Sequence, residues 1–289
     1  MFLIRHRRLI FNRLLLFVFL FTFLVLIIIL SKLIHVIYTM NMSVNYCSKY
    51  PYLAVIVDDR ASLSVINAVT NVLQHIPKDW KVQMITLKEN WLFYNKSSLK
   101  SYIEKHRVFF TELDRSANGL PSDKYINPIL TSASFWHQVQ GEQVLLFQFD
   151  SVLCSNSPWK ITDFLDYDFI GAPWAVGGCC NGGLSIRNRT KILQMLESPW
   201  ISFYRREQNE DYWFTDNLPS FNGRIAPISI AKRFSVETIY HSRPFAVHKP
   251  LIEYLGRENM TKLCNECPEV RSITSYCPPS TIDRHIHNH

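Results

Sequence analysis

The sequence predicts an α/β chain, a Rossmann-type mixed sheet flanked by helices, preceded by a single N-terminal transmembrane helix. Three observations predict the fold. Residues 53–57 (Leu-Ala-Val-Ile-Val) form a continuous apolar, β-branched run of buried-strand length. Residues 62–75 then place Leu63, Val65, Ile66, Val69, Val72 and Leu73 at helical spacing, with Pro77 as a stop. Residues 82–87 are a second apolar run, so the chain opens as a βαβ unit. A chain of 289 residues with 47% hydrophobic content is long enough for one large domain behind an anchor.

The anchor comes first. Residues 14–30 carry no charge and only Thr22 as a polar side chain, and residues 33–38 extend the apolar character. At 1.5 Å rise per residue this spans a bilayer core of roughly 30 Å. Arg5, Arg7, Arg8 and Arg13 precede the run and little positive charge follows it, which puts the amino terminus in the cytosol. The competing reading is a cleaved signal peptide, but the run exceeds a usual signal core and no clean small-x-small site follows. The reading is therefore a type II arrangement: 1–13 cytosolic, 14–38 signal anchor, 39–52 stem, and the remainder lumenal or extracellular.

The lumenal address agrees with the sequons at Asn41, Asn95, Asn188 and Asn259, although such triplets also arise by chance. In an oxidising compartment most of the seven cysteines would pair, leaving Cys47 in the stem for a disulfide-linked dimer. The net charge of +7 is inflated by the cytosolic arginines. No basic run interleaved with aromatics follows, so nucleic acid is excluded as a partner.

Farther along, residues 107–113 read as a strand, 125–137 as a helix with an aromatic inner face, and 144–149 as a buried strand ending in Asp150. In open α/β sheets ligands bind at the carboxyl ends of strands. Four of the nine glycines fall in the seven positions 177–183, marking a sharp turn or a close approach. Residues 184–187 resume as a strand, and 190–196 and 228–234 as helices. Cys179 and Cys180 are too close for an ordinary pair and are expected to bond elsewhere. Residues 256–289 form a Cys/His-containing tail, stapled or loosely ordered. Its Cys264, Cys267 and Cys277, with His285, His287 and His289, fit zinc ligands or disulfides, and a lumenal address favours disulfides.

The ordered blocks Lys78-Asp79-Trp80, Glu89-Asn90, residues 147–151 (Phe-Gln-Phe-Asp-Ser), residues 168–174 (Asp-Phe-Ile-Gly-Ala-Pro-Trp), residues 181–187 (Asn-Gly-Gly-Leu-Ser-Ile-Arg), Glu210-Asp211 and His248-Lys249-Pro250 resemble a family of uncharacterised glycosyltransferase-like domains. The resemblance covers about residues 53–255 and implies a GT-A fold, with a Rossmann-like half for a nucleotide sugar and a second half for the acceptor. It also implies a divalent metal, manganese in the usual case, at a D-x-D motif. The matching place here is Asp150-Ser151-Val152, with a single carboxylate, and His248 is the implied second ligand beside Lys249.

The implied donor site is Asp58, Asp59 and Arg60 with Asp150, Ser151 and Lys249. Trp174, Asn181, Gly182, Gly183 and Trp213 face the acceptor, and Asp211 is the base with Glu210 as its partner or as an acceptor-binding group. Each has a plainer alternative. Asp150 caps a turn, 58–60 is a charged turn, His248 is a core histidine, Glu210 and Asp211 sit on a helix dipole, and the tryptophans pack in the core. The resemblance implies a Golgi or endoplasmic-reticulum enzyme that moves a sugar from a nucleotide donor to a hydroxyl of a glycan, glycoprotein or glycolipid. The lone carboxylate at Asp150 keeps open a non-catalytic relative that binds carbohydrate or nucleotide sugar. A membrane-anchored scaffold is disfavoured by the concentrated polar motifs.

Overall fold

The computed structural model describes residues 2–41, 46–113, 126–199, 201 and 209–278. The chain divides into two compact units, Met1–Cys47 and Ser48–His289. The first is helix α1 (Phe2–Asn41), whose stretch Leu15–Ile34 is long and apolar enough to cross a membrane. Met42 and Ser43 of the first sequon lie outside the described residues.

The second unit runs β1 (Tyr50–Val57), α2 (Leu63–His75), β2 (Lys81–Thr86), α3 (Trp91–Asn95), α4 (Lys100–Glu104) and β3 (Val108–Glu112). It continues with α5 (Ile126–Leu130), α6 (Ala133–Gln138), β4 (Gly141–Phe147), β5 (Ser151–Leu153), β6 (Phe169–Gly171), β7 (Leu184–Asn188) and α7 (Arg189–Leu196). The last elements are α8 (Glu210–Asn217), α9 (Ile228–Phe234), β8 (Ser235–Val236), β9 (Ala246–His248) and α10 (Ile252–Glu266).

The larger sheet has the order β3-β2-β1-β4-β7-β6. Its first four strands are parallel, while β7 runs antiparallel to β4 and to β6. This is the mixed α/β sheet expected. Leu53, Ala54 and Val55 are fully buried because β1 lies between β2 and β4 with helices covering the faces. Ser62 caps α2 by accepting from the Ser64 N–H at 3.2 Å, and Val65, Val69 and Val72 bury its apolar stripe. The crossover from β1 to β2 runs one way and β4 lies on the other side of β1, so the crevice between β1 and β4 is the topological switch point.

The helix expected over 125–137 is two helices, α5 and α6. Ser132 sits extended between them (φ −103°, ψ 128°), and the Trp136 indole N–H donates back to the Leu130 carbonyl at 2.7 Å. Tyr125 lies outside the described residues.

A smaller sheet, β5-β9-β8, was not legible as such. Its back is covered by α10, which buries Leu255, Met260, Leu263 and Cys264 and breaks at Gly256 (φ 72°). The segment beyond residue 255 is stapled: Cys154 bonds Cys267 and Cys264 bonds Cys277. Those bonds leave the three cysteines no zinc-ligand role, and His285, His287 and His289 lie outside the described residues. Cys179 and Cys180 pair with each other, contrary to the expected separate partners, with the peptide between them cis. Cys47 is free and exposed.

Candidate functional site

The small sheet gathers three ionisable residues. Ser151 on β5 stands opposite His248 on β9, which places Asp150 beside the imidazole. Strand β8 runs parallel to β9, with Val236 opposite Val247, so Glu237 arrives on the other side of the ring. The Asp150 Oδ1 atom lies 3.4 Å from His248 Nε2, and Glu237 Oε1 lies 3.5 Å from His248 Nδ1. These are close charge contacts, longer than well-formed hydrogen bonds: Asp150 Oδ1 and His248 Nδ1 are buried without a hydrogen-bond partner among the described residues.

His248 is 4% exposed, and burial alone would lower its pKa. The two carboxylates outweigh burial and push it up to about 9, so the ring is an imidazolium at neutral pH. Burial also acts on Asp150, but the imidazole and Lys249 hold its carboxyl below the usual range.

Glu237 is the functional residue that reading the sequence missed. It follows a two-residue strand with no periodicity to mark it, and only the register of β8 against β9 brings it to His248. Its Oε1 also accepts from the Asn181 side-chain amide at 3.2 Å.

The glycine-rich turn faces inward. Asn181 Oδ1 accepts from the Gly183 N–H at 2.9 Å, and Asp211 Oδ2 accepts from the Gly182 N–H at 3.0 Å. A Cβ at Gly183 would run into the His248 ring, and one at Gly182 into Glu210 and Arg187. The glycines therefore serve close packing of charged side chains. The expected role of Asn181, Gly182 and Gly183 in offering hydrogen bonds to acceptor hydroxyls is corrected, because these groups are committed within the protein.

Asp211 and Glu210 separate into two roles. Both Glu210 oxygens accept from the Arg187 guanidinium at 2.8 Å, and Arg187, fully buried, stacks over Phe169 and Phe214 at 4.8 and 5.2 Å. That closed pair takes Glu210 out of the expected catalytic or acceptor-binding role. Asp211 accepts from the N–H groups of Gly182 and Tyr212, yet burial, then the Glu210 charge beside it, push its carboxyl up to about 6.

On the β1 side, Asp58 and Arg60 form a two-pronged ion pair at 2.9 and 2.6 Å, and Arg60 lies over the Phe149 ring at 4.3 Å. The carbonyl of Asp59 accepts from the Asn90 amide at 2.8 Å. Arg60 and Phe149 thus bridge the carboxyl ends of β1 and β4. Lys249 is exposed, with its backbone N–H on the Asp150 carbonyl at 2.9 Å and a left-handed φ of 38°.

Three other expected site residues are interior. Ser151 is fully buried, with its hydroxyl oxygen 3.5 Å from the Gly183 carbonyl, so it is scaffold and not a donor ligand. Trp213 is buried edge-on to Phe214 at 5.3 Å, which corrects its expected place at the acceptor. Trp174 is also buried and stacks flat on Tyr212 at 4.0 Å and 9°, leaving Tyr212 as the exposed ring of the pair.

The two implied metal ligands come together, with Asp150 Oδ1 and His248 Nε2 3.4 Å apart, and a cation there would take the imidazole in its neutral form, in competition with the proton that the flanking carboxylates favour. Among the described residues no three His, Cys, Asp or Glu side chains group to hold a metal ion.

Residues 107–248, just under half of the 289-residue chain, match the model of a family described as a protein of unknown function, DUF5672. The match takes in Asp150, Asp211, Glu237 and His248 and starts after the blocks at 58–60, 78–80 and 89–90. No curated protein matches the chain. Among solved structures, the apo-form glycosyltransferase GlyE of Streptococcus pneumoniae TIGR4 is 11% identical with a TM-score of 0.44, over 71% of this chain and 56% of that one. The bifunctional glycosyltransferase WbbM is 11% identical at 0.45, over 83% and 51%. The galactosyltransferase LgtC, solved with donor and acceptor sugar analogs, is 10% identical at 0.43, over 81% and 99%. The chain spans about half the length of the first two.

Proposed function

We propose that the chain transfers a sugar from a nucleotide-sugar donor to a hydroxyl acceptor on a glycan or glycoconjugate, with Asp211 as the base. The observation that carries this reading is the buried Asp211 carboxyl, pushed up to about 6, beside the glycine turn that packs on His248. A base with that affinity for protons accepts one from an incoming hydroxyl near neutral pH. Lys249, exposed beside His248, supplies positive charge at the strand end where a diphosphate leaving group would gather negative charge. The exposed Tyr212 ring, backed by Trp174, offers a stacking face for a sugar.

A binding protein without turnover is the second reading. It is favoured by the two backbone N–H groups already on Asp211, the pose of a helix cap. Donor hydrolysis by the full-length chain in detergent, with several nucleotide sugars and with or without manganese, separates the two. Turnover is expected to fall as pH drops through about 6, where Asp211 takes up its proton, and to be lost in Asp211→Ala and Asp150→Ala. Binding without turnover under every donor sinks the enzyme reading.

We further propose a type II membrane protein of the Golgi or endoplasmic reticulum with the 48–289 unit in the lumen. The arginines before residue 14, the apolar stretch Leu15–Ile34, and the Cys154–Cys267 and Cys264–Cys277 pairs support that address. Cys47 is the proposed link of a disulfide dimer.

A further inference from the structure

A cavity of about 110 Å³ opens beside Asp150. It is smaller than the roughly 300–1,000 Å³ of a whole ligand pocket, so it takes one part of a ligand. One wall is the first turns of α2 (Ser64 and Asn67), the second is the strand end from Phe149 to Val152, and the third is Ser272 and Ile273 from the C-terminal segment. The first two walls belong to the switch-point crevice, where a nucleotide is expected from topology alone. The third comes from residues beyond both the 107–248 family match and the 53–255 span legible in the sequence.

The C-terminal wall is anchored from several sides. Cys267 bonds Cys154, the residue after β5, with Cα atoms 4.9 Å apart. Cys277 bonds back to Cys264 on α10, 13 positions earlier, so Ser272 and Ile273 lie inside the closed loop. Glu269 reaches the Ser155 N–H at 3.2 Å and the His75 ring at the end of α2 at 3.8 Å. Asn71 of α2 clasps Leu153 through its N–H at 2.7 Å and its carbonyl at 3.1 Å. Val270 and Cys267, both fully buried, pack in one cluster with Val152 and Val247. The segment is thus fastened to both other walls, and its two cavity-lining residues are the ones left at the opening.

We propose that the disulfide-held C-terminal segment is the third wall of the donor cleft, with Ser272 and Ile273 contacting the nucleoside diphosphate part of the donor. This rests on the nucleotide-sugar reading above. The wall's polar and small lining (Ser64, Asn67, Ser272) beside Asp150 suits the hydroxyls of a ribose or the edge of a base, and Arg60, lying over Phe149, stands at the same strand ends for phosphate.

Calorimetric titration of the full-length chain in detergent with UDP, GDP and CDP tests it. Wild type is expected to bind at least one. Ser272→Trp, which fills the cavity from an exposed position, is expected to weaken that binding at least tenfold with an unchanged melting temperature in the absence of nucleotide, while Ser272→Ala stays within twofold of wild type. The double variant Cys154→Ala/Cys267→Ala is expected to lose affinity similarly. Wild-type affinity in Ser272→Trp overturns the wall whatever the disulfide variant does, and wild-type affinity in the disulfide variant overturns its dependence on that bond. If wild type binds none of the three nucleotides, the donor reading itself falls and this inference with it.

Discussion

Two buried charge clusters lie side by side under the glycine-rich turn, and they are built to different tolerances. Arg187 and Glu210 meet through two hydrogen bonds of 2.8 Å, and the guanidinium is covered by Phe169 and Phe214. Glu237, His248 and Asp150 meet at 3.4–3.5 Å, with polar atoms left over on His248 and Asp150. A fully satisfied network rigidifies a fold, whereas one with spare hydrogen-bonding capacity beside a cavity has something left to offer a ligand. The contrast assigns the first cluster to the scaffold and the second to the site.

The largest effect that tests this contrast is on Arg187. Arg187→Met leaves Glu210 ionised and buried with no partner, and breaking such a pair costs about 3–5 kcal/mol. Chemical denaturation of the two proteins at pH 7 measures it. A loss below about 1 kcal/mol would mean that the tight cluster is not what holds β7 to α8.

The second effect is a pH signature. His248 moves from 6.5 to about 9 on folding, which corresponds to about 3 kcal/mol. Because the folded value is the higher one, this stabilisation is complete below pH 6.5 and is lost as pH rises through about 9. The Asp150 shift describes the same contact from its other partner and is not added. Denaturation free energies at pH 6.5 and 10 should fall by this amount in wild type and by much less in His248→Gln. An equal fall in both would show that the ring is not held as a cation.

What was legible in the sequence divides along the same line. The strands at 53–57 and 144–147 announce themselves because both faces are covered, so nearly every residue is apolar, and Asp150 stands out at the end of such a run. His248 was visible as a residue type but not as an ion, since its state depends on Glu237, which only the β8–β9 pairing supplies. Arg187 and Glu210 lie 23 positions apart with no pattern between them, and their union depends on where α8 packs against β7. The C-terminal helix α10 falls mostly in the segment that reads as a stapled or loosely ordered tail, because Gly256 interrupts its period and much of its surface is charged, while its four buried residues face one small sheet. The glycines at 182 and 183 were recognised as a close approach, but what approaches them is the protein's own charged side chains.

Those two glycines give the smallest and most direct test, because each belongs to one cluster. A methyl group at either position overpacks the turn, at a cost of typically about 1–3 kcal/mol. At Gly182 the added Cβ meets Glu210 and Arg187, which are locked together by two short hydrogen bonds and cannot move apart without breaking them. At Gly183 it meets the edge of the His248 ring, which is held only by side-chain contacts of 3.4–3.5 Å to Asp150, Gln148 and Glu237 and must tilt to admit the methyl. Gly182→Ala is therefore expected near the upper end of that range and Gly183→Ala near the lower end, as read by denaturant midpoints at pH 7. The tilt in Gly183→Ala should also weaken the hold of Asp150 on the ring, so the alkaline loss of stability should begin at a lower pH than in wild type. If Gly183→Ala proves the costlier of the two, the loose cluster is as rigid as the tight one, and the division between scaffold and site fails.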